Sequence, residues 1–341
     1  MKIGVVGASG YSGGELLRLL SSHPHFQVEY IAAGSQAGAS ITSVHPQLVN
    51  YADRAFEATE ISQMNKCELL FFALPHGESA KLITEVDSKI KIVDLGADFR
   101  LESPTSWDKY YGGEYAGAWV YGLPEIPDQR EKISGASRVA NPGCYATAIA
   151  LAIAPALHSK IIDGSDIVVV AASGTTGAGR KASTNLLGSE IMGSLTSYKF
   201  GGVHQHTPEI EQTLSSLGDG DVKISFTPIL APMPRGILAT VTAKLKSNLK
   251  TSDVQEIYRD FYKGEDFVSV LRGNQLPKTS AVLGSNSAQI QVAVDEHTNR
   301  IVISAVIDNL GKGAASQAIQ NANLISGFPE NAGLSSQGIG S

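Results

Sequence analysis

Apolar residues along this chain fall in short runs separated by glycine- and proline-rich turns, and the rhythm of the runs changes partway through. Lys2–Gly7 is an apolar run of strand length. A loop with glycines at 7, 10 and 13 follows, and then Gly14–Leu20 with helical spacing. Val28–Ala33, Leu69–Leu74 and residues 91–95 read as further strands of an open parallel sheet. From residue 146 the pattern differs. Ala146–Ala154 is Ala/Leu/Ile-rich on every side, which predicts a buried helix stopping at Pro155. Asp166–Ala172, Lys223–Leu230, Gly236–Leu245, Ala288–Val294 and Arg300–Val306 read as strands, several alternating with period two. Helices are predicted over Thr251–Tyr262, from about Pro208 and over Ala314–Ile325, and Asn331–Ser341 as a peripheral or frayed terminus. The expectation is an α/β protein: a Rossmann-type dinucleotide-binding domain plus an α+β domain with a mixed or antiparallel sheet.

Composition sharpens this picture. At 341 residues the chain is too long for one ordinary core, so two domains are expected. Hydrophobic content of 43% with 18% charged residues suits a soluble enzyme. A net charge of −6 argues against a nucleic-acid-binding surface. No apolar run is long enough to span a bilayer, and Met1–Gly7 has no signal-peptide layout. The two cysteines, Cys67 and Cys144, show no metal-ligand spacing, so no metal site is expected. A reducing cytoplasm is the natural setting and would keep Cys144 reduced.

Candidate chemistry centres on Cys144. Pro142-Gly143 places it at the start of the predicted helix, where unpaired N–H groups and the helix dipole favour a thiolate. A thiolate is a good nucleophile for a carbonyl carbon. Strand, glycine loop, helix at Gly7–Gly13 is the context of a dinucleotide fingerprint, although its spacing is GxxGxxG. The second strand ends in Ala33-Gly34-Ser35-Gln36 with no acid, which favours NADP over NAD. Ser35 and Gln36 have hydrogen-bond donors for a 2′-phosphate. His204 and His206, two residues apart, are candidates for acid/base work; their spacing would also suit a metal, but no third ligand is evident. Arg100 and Arg235 are candidate anion ligands.

The segment Asn141-Pro142-Gly143-Cys144-Tyr145-Ala146-Thr147 resembles the active-site segment of the N-acetyl-γ-glutamyl-phosphate reductase family, which belongs with the aspartate-semialdehyde dehydrogenases. Residues 73–77, 94–100, 121–125 and 173–180, and the Gly-x-His-x-His-x-Pro-Glu segment ending at Glu209, resemble the same family in order. The resemblance implies NADPH-dependent reduction of N-acetyl-γ-glutamyl phosphate through a thioester on Cys144, in arginine biosynthesis. It implies cofactor contacts at Gly7, Ser9, Gly10, Tyr11, Ser12, Gly13, Ser35, Gln36, Leu74, Pro75, Ser173, Gly174 and Asn309. Substrate contacts follow at Arg100, Tyr198, Glu209 and Arg235. The acid/base is His204 or His206, with His204 preferred. Residues 1–143 with a C-terminal helix at 310–328 are expected to bind the dinucleotide, and 144–309 to carry catalysis and oligomerisation as a homodimer or homotetramer. One departure stands out: the arginine that the family often has near Gln36 is missing, which weakens the NADP inference. Alternatives are an enzyme acting on a carrier-linked aminoadipyl or glutamyl phosphate or on aspartyl phosphate, and a redox sensor without catalysis.

Overall fold

Six parallel strands form the sheet of the first unit: β1 (Lys2–Val6), β2 (Gln27–Ala32), β3 (Leu69–Phe72), β4 (Lys91–Asp94), β5 (Val120–Tyr121) and β6 (Arg138–Ala140). Their order is β2-β1-β3-β4-β6-β5. Alternation along β3 explains why its sequence is apolar throughout. Leu69 and Phe71 enter one core, Leu70 and Phe72 the other, so both faces are covered. The computed structural model describes residues 1–340. This first unit comprises Met1–Asp108, Gly112–Pro142 and Ala314–Leu334.

The helix after the glycine loop begins at Tyr11 rather than Gly14, because Gly10 is already its extended N-cap. The last helix, Ser316–Ser326, joins the same core through Ala318, Ile319, Ala322 and Ile325. Gly122 forms its seat. A Cβ there would stand 2.3 Å from Asn321 Nδ2, the atom that donates to the Gly122 carbonyl at 2.9 Å. Glu125, three residues on, accepts from Gln320 at 2.9 Å. The Tyr121–Glu125 segment therefore anchors the C-terminal helix.

The second unit holds Lys109–Tyr111, Gly143–Gly313 and the chain from Ser335 onward. Its strands are β7 (Ile162–Ser173), β8 (Thr196–Ser197), β9 (Ile224–Leu230), β10 (Ile237–Leu245), β11 (Val268–Val270), β12 (Ala288–Asp295) and β13 (Arg300–Ile307). The order is β11-β12-β13-β10-β7-β9-β8, with β7–β9 and β11–β12 parallel and the other pairs antiparallel. Ile237, Ala239, Val241 and Ala243 alternate into the core, and the Cys144–His158 helix packs on β7, β10 and β13. On the same strands Val168, Val170 and Val302 stay 36–41% exposed. Among the described residues no helix is long and apolar enough to cross a membrane.

Two expectations are corrected. The helix does not stop at Pro155 but continues to His158. Proline deprives the Leu151 carbonyl of its intrahelical donor, and the Tyr262 hydroxyl donates to that oxygen instead. Tyr258 donates to the neighbouring Ala152 carbonyl at 2.7 Å. The C-terminal tail is tied down rather than frayed. Asn286 N–H donates to the Ser335 carbonyl at 2.8 Å, and Ile339 N–H to Leu283 at 2.9 Å.

Candidate active site

Cys144 is the first residue of its helix, half-buried, with Gly143 as an extended N-cap. The helix behind it is buried along its length because its side chains are small or apolar on all sides. Two contacts fix the peptide before Cys144. The Gly143 N–H donates to Glu209 Oε1 at 2.7 Å, and the Gly143 carbonyl accepts from Thr147 N–H at 2.8 Å. Glu209 lies in the first turn of the His206–Ser215 helix and is wholly buried. Gly313 closes over the sulfur-bearing residue: a Cβ there would stand 2.8 Å from the Cys144 Cβ.

A cavity of about 650 Å³ opens at Cys144, lined also by Tyr145, Ser173, Tyr198, His204 and His206. Tyr198 donates to the Tyr145 hydroxyl at 3.1 Å, and Tyr145 donates to the Ile229 carbonyl at 3.2 Å. Burial pushes the Tyr198 phenol up to about 12 and Tyr145 higher still, so both stay neutral donors. The His204 ring stands edge-on to Tyr145 at 5.4 Å and lies 4.9 Å from the His206 ring. His204 Nδ1 accepts the His206 backbone N–H at 3.1 Å, so its proton resides on Nε2. Burial, then the neighbouring His206 and Lys199, drives His204 down to about 2, which keeps it neutral. Lys181 and Lys199 bring positive charge to the cavity wall, and Lys199 also bonds to Gln205 Oε1.

Gly174 lies on the same wall. A Cβ on it would meet the Pro234 carbonyl carbon and oxygen at 2.8 Å, so the residue must be small where the two loops touch. Arg235 forms a two-pronged pair with buried Asp308, at 3.0 and 2.7 Å, and Asp308 also accepts from Gly284 N–H at 2.7 Å. Asn309 bridges loops: Oδ1 accepts from Gly236 N–H at 2.7 Å and Nδ2 donates to Thr176 Oγ1 at 3.0 Å. Both residues thus brace the loops bordering the cavity.

In the first unit, the loop from Gly7 is tightly packed at two of its three glycines. Gly7 has φ +85° and a Cβ would stand 2.4 Å from the Ala73 carbonyl oxygen; a Cβ on Gly13 would meet the Gly7 oxygen at 2.6 Å. Gly10, in contrast, has nothing nearer than 3.6 Å, so its backbone is open at the N-terminus of the Tyr11–Leu20 helix. Ser9 and Ser12 are half-buried beside it, and Tyr11 is exposed. Ser35 and Gln36 lie exposed in the turn after β2, and Leu74 and Pro75 follow β3. Arg100 donates from Nε to the Asn141 carbonyl at 2.8 Å and from Nη2 to Leu95 at 2.7 Å, so it braces the segment leading to Cys144.

The structure therefore gathers Cys144, Ser173, Gly174, Tyr198, His204 and His206 around one cavity, with Glu209 bonded to the peptide before Cys144. Sequence reasoning passed over Tyr145, Asp308, Lys181 and Lys199. Adjacency to Cys144 and to Asn309 was the available signal for the first two; the lysines carried none.

The semialdehyde dehydrogenase NAD binding domain family matches residues 2–136, and the semialdehyde dehydrogenase dimerisation domain family matches residues 144–309. An aspartate semialdehyde dehydrogenase II from Vibrio cholerae has the same fold, with a TM-score of 0.70 at 18% identity over 95% of this chain and 98% of that one. The aspartate semialdehyde dehydrogenase from Candida albicans, solved with NADP, gives 0.69 at 16% identity over 95% and 98%. Fold and family matches together define a protein of the semialdehyde-dehydrogenase class. N-acetyl-gamma-glutamyl-phosphate reductases are similar over nearly the whole length: 52% identity in Acidothermus cellulolyticus and 50% in Frankia casuarinae, each over 99% of this chain and 98% of the relative. The chain belongs to the N-acetyl-gamma-glutamyl-phosphate reductase family.

Proposed function

We propose that this protein reduces N-acetyl-γ-glutamyl phosphate to N-acetylglutamate 5-semialdehyde with release of phosphate, using NADPH, as a cytoplasmic step of arginine biosynthesis. The observation that carries the reading is Cys144 at a helix N-terminus, facing a cavity that also holds two histidines, in a chain 52% identical to a reductase of that name. The open Gly10 backbone supports dinucleotide binding, and exposed Ser35 and Gln36 suit a 2′-phosphate.

The Cys144 thiolate, favoured by the helix dipole, attacks the acyl carbon; a C–S bond forms, the C–O bond to phosphate breaks, and a thioester remains. Lys181 and Lys199 lend positive charge to the departing phosphate. NADPH held at the Gly7–Gly13 loop would supply the hydride that takes the thioester to a thiohemiacetal oxyanion. His206 donates a proton to the oxyanion and takes it back as the C–S bond breaks, releasing the aldehyde and restoring the thiolate. The assignment passes from His204 to His206 because the buried, neutral imidazole of His204 has no proton to spare from Nδ1 and serves as an Nε2–H donor. Tyr198 and Glu209 act through position, Tyr198 on Tyr145 and Glu209 on Gly143. Arg100 and Arg235 act likewise, through Asn141 and Asp308.

The working form is a homodimer or homotetramer in which a second copy covers the open face of the β7–β10–β13 sheet. The match to a dimerisation domain and the exposed Val168, Val170 and Val302 support this.

The reverse reaction tests the reading. N-acetylglutamate semialdehyde, phosphate and NADP are mixed with the protein and absorbance of the reduced nicotinamide is followed. Phosphate-dependent NADPH formation, abolished by Cys144→Ala, is expected. Turnover of aspartate semialdehyde alone moves the substrate to aspartyl phosphate, and full activity of Cys144→Ala overturns the mechanism.

A further inference from the structure

Asn141 follows β6 directly and precedes the Pro142-Gly143 pair that leads into Cys144. Each of its polar groups has a partner. The N–H donates to the Asp94 carbonyl at 2.8 Å, prolonging the pairing of β6 with β4. The backbone carbonyl accepts Arg100 Nε at 2.8 Å. Side-chain Nδ2 donates to the Ala314 carbonyl at 3.1 Å, and Oδ1 accepts Asn321 Nδ2 at 3.0 Å. A carboxamide offers a donor and an acceptor at once, which this position uses in full. Asn141 and Asn321 are both wholly buried.

Asn321, on the last helix, fixes the sense of the pair. Its Nδ2 faces the Gly122 carbonyl, an acceptor at 2.9 Å, so the other hydrogen of the same amide goes to Asn141. Gly122 N–H in turn donates to the Ala140 carbonyl at 2.9 Å, which closes a ring of contacts around the peptide entering Asn141. The Asn321 Oδ1 is buried and accepts no hydrogen bond. A buried carbonyl without a donor destabilises a fold and calls for a reason. Docking of the helix does not supply one, because Ala318, Ile319, Ala322 and Ile325 already join the core by apolar contact.

Two features carry the placement of Asn141 forward. The ring of Pro142 fixes its own φ and confines the residue before it to extended backbone. Gly143, the extended N-cap, is held through its N–H on Glu209. A shift at Asn141 therefore meets a rigid residue before it reaches the start of the Cys144 helix.

We propose that Asn321 is a positioning residue for Cys144, acting through the Asn141 carboxamide. The last helix then serves the chemistry as well as closing the first core. The proposal rests on the reading of Cys144 as the nucleophile but not on the identity of the acyl group.

The test compares the full chain carrying Asn321→Ala, Asn141→Ala or both with Gln320→Ala. Gln320 is the neighbour of Asn321 on the same helix and bonds to Glu125 and Glu330 rather than to Asn141. Melting temperature, the rate of Cys144 alkylation by iodoacetamide followed by peptide mass, and reverse-reaction kcat and KM are measured on each. Asn321→Ala should slow alkylation about threefold or more and lower kcat about tenfold or more, with KM less affected. Asn141→Ala should do the same, and the double variant should be no worse than the poorer single one. Gln320→Ala should melt earlier yet alkylate and turn over like the parent chain. Asn321→Asp, of equal size, is measured alongside in case the alanine variant fails to fold. Its carboxylate would face the Gly122 and Asn141 oxygens, so the same losses are expected. Parent-like alkylation in the Asn321 variants overturns the proposal. So do kcat losses that add fully in the double variant, or that Gln320→Ala reproduces. If the parent chain turns over no aldehyde, the alkylation rates decide the proposal and only the substrate reading falls.

Discussion

The side chain of Glu209 accepts the backbone N–H of Gly143 at 2.7 Å, one residue before Cys144 and 66 positions away in sequence. A buried side chain thereby orients the peptide from which the Cys144 helix starts. Glu209→Ala leaves that N–H without its acceptor and should cost about 1–3 kcal/mol of stability. Misplacing the sulfur should lower kcat by about 100-fold with KM less affected. Glu209→Gln retains a carbonyl acceptor and should recover much of both. Equal kcat in Ala and Gln variants would rule out the positioning role.

His204 and His206 should separate by pH. His206→Asn is expected to lose turnover at all pH values, whereas His204→Asn should keep the shape of the pH–rate profile with a lower plateau. Stability gives an independent check. His204 sits near 2 when folded, against the ordinary histidine value of 6.5, so below pH 6.5 the unfolded chain binds a proton that the folded chain refuses. Stability therefore falls as pH drops from 6.5, and His204→Asn should flatten that fall in denaturant titrations.

Asp94 predicts the opposite slope. Burial raises it from 3.8 to about 7, against the hydrogen bonds from Gly96 N–H and Ser79 that lower it. Between those values the unfolded chain releases a proton that the folded chain keeps, so this group's contribution to stability falls as pH rises from about 4 to 7. Asp94→Asn removes the titration. Its stability relative to the parent chain should improve steadily across that window, measured by urea midpoints.

Gly10 and Gly13 differ in what surrounds them. Gly13→Ala forces a Cβ to 2.6 Å from backbone atoms and should lower the melting temperature. Gly10→Ala meets nothing nearer than 3.6 Å and should melt like the parent chain, yet weaken NADPH binding by about tenfold or more by filling the phosphate approach. Titration of nicotinamide fluorescence measures the second effect.

Val170→Lys places a charge on the open face of the second sheet, where the side chain is 41% exposed. It should leave the fold intact and reduce the mass in solution, read by sedimentation.

Much of the architecture was written locally. The glycine loop of the first strand–helix unit, the largely apolar run after Cys144 and the alternation along β10 each depend on residues a few positions apart, and these yielded the two-part α/β fold and the Cys144 helix. What the sequence could not rank was partnership. Arg100 and Arg235 look alike as anion ligands until burial shows one braced on the Asn141 and Leu95 carbonyls and the other on Asp308, 73 positions away. The continuation of the helix through Pro155 required a tyrosine 111 residues from Leu151, and the seat of the last helix required Gly122 and Asn321, 199 apart. The neutrality of His204 likewise arises from desolvation inside the fold. Backbone conformation answers to near neighbours, so it can be read along the chain. Protonation and side-chain pairing answer to whatever folding brings close, and only the tertiary structure supplies that.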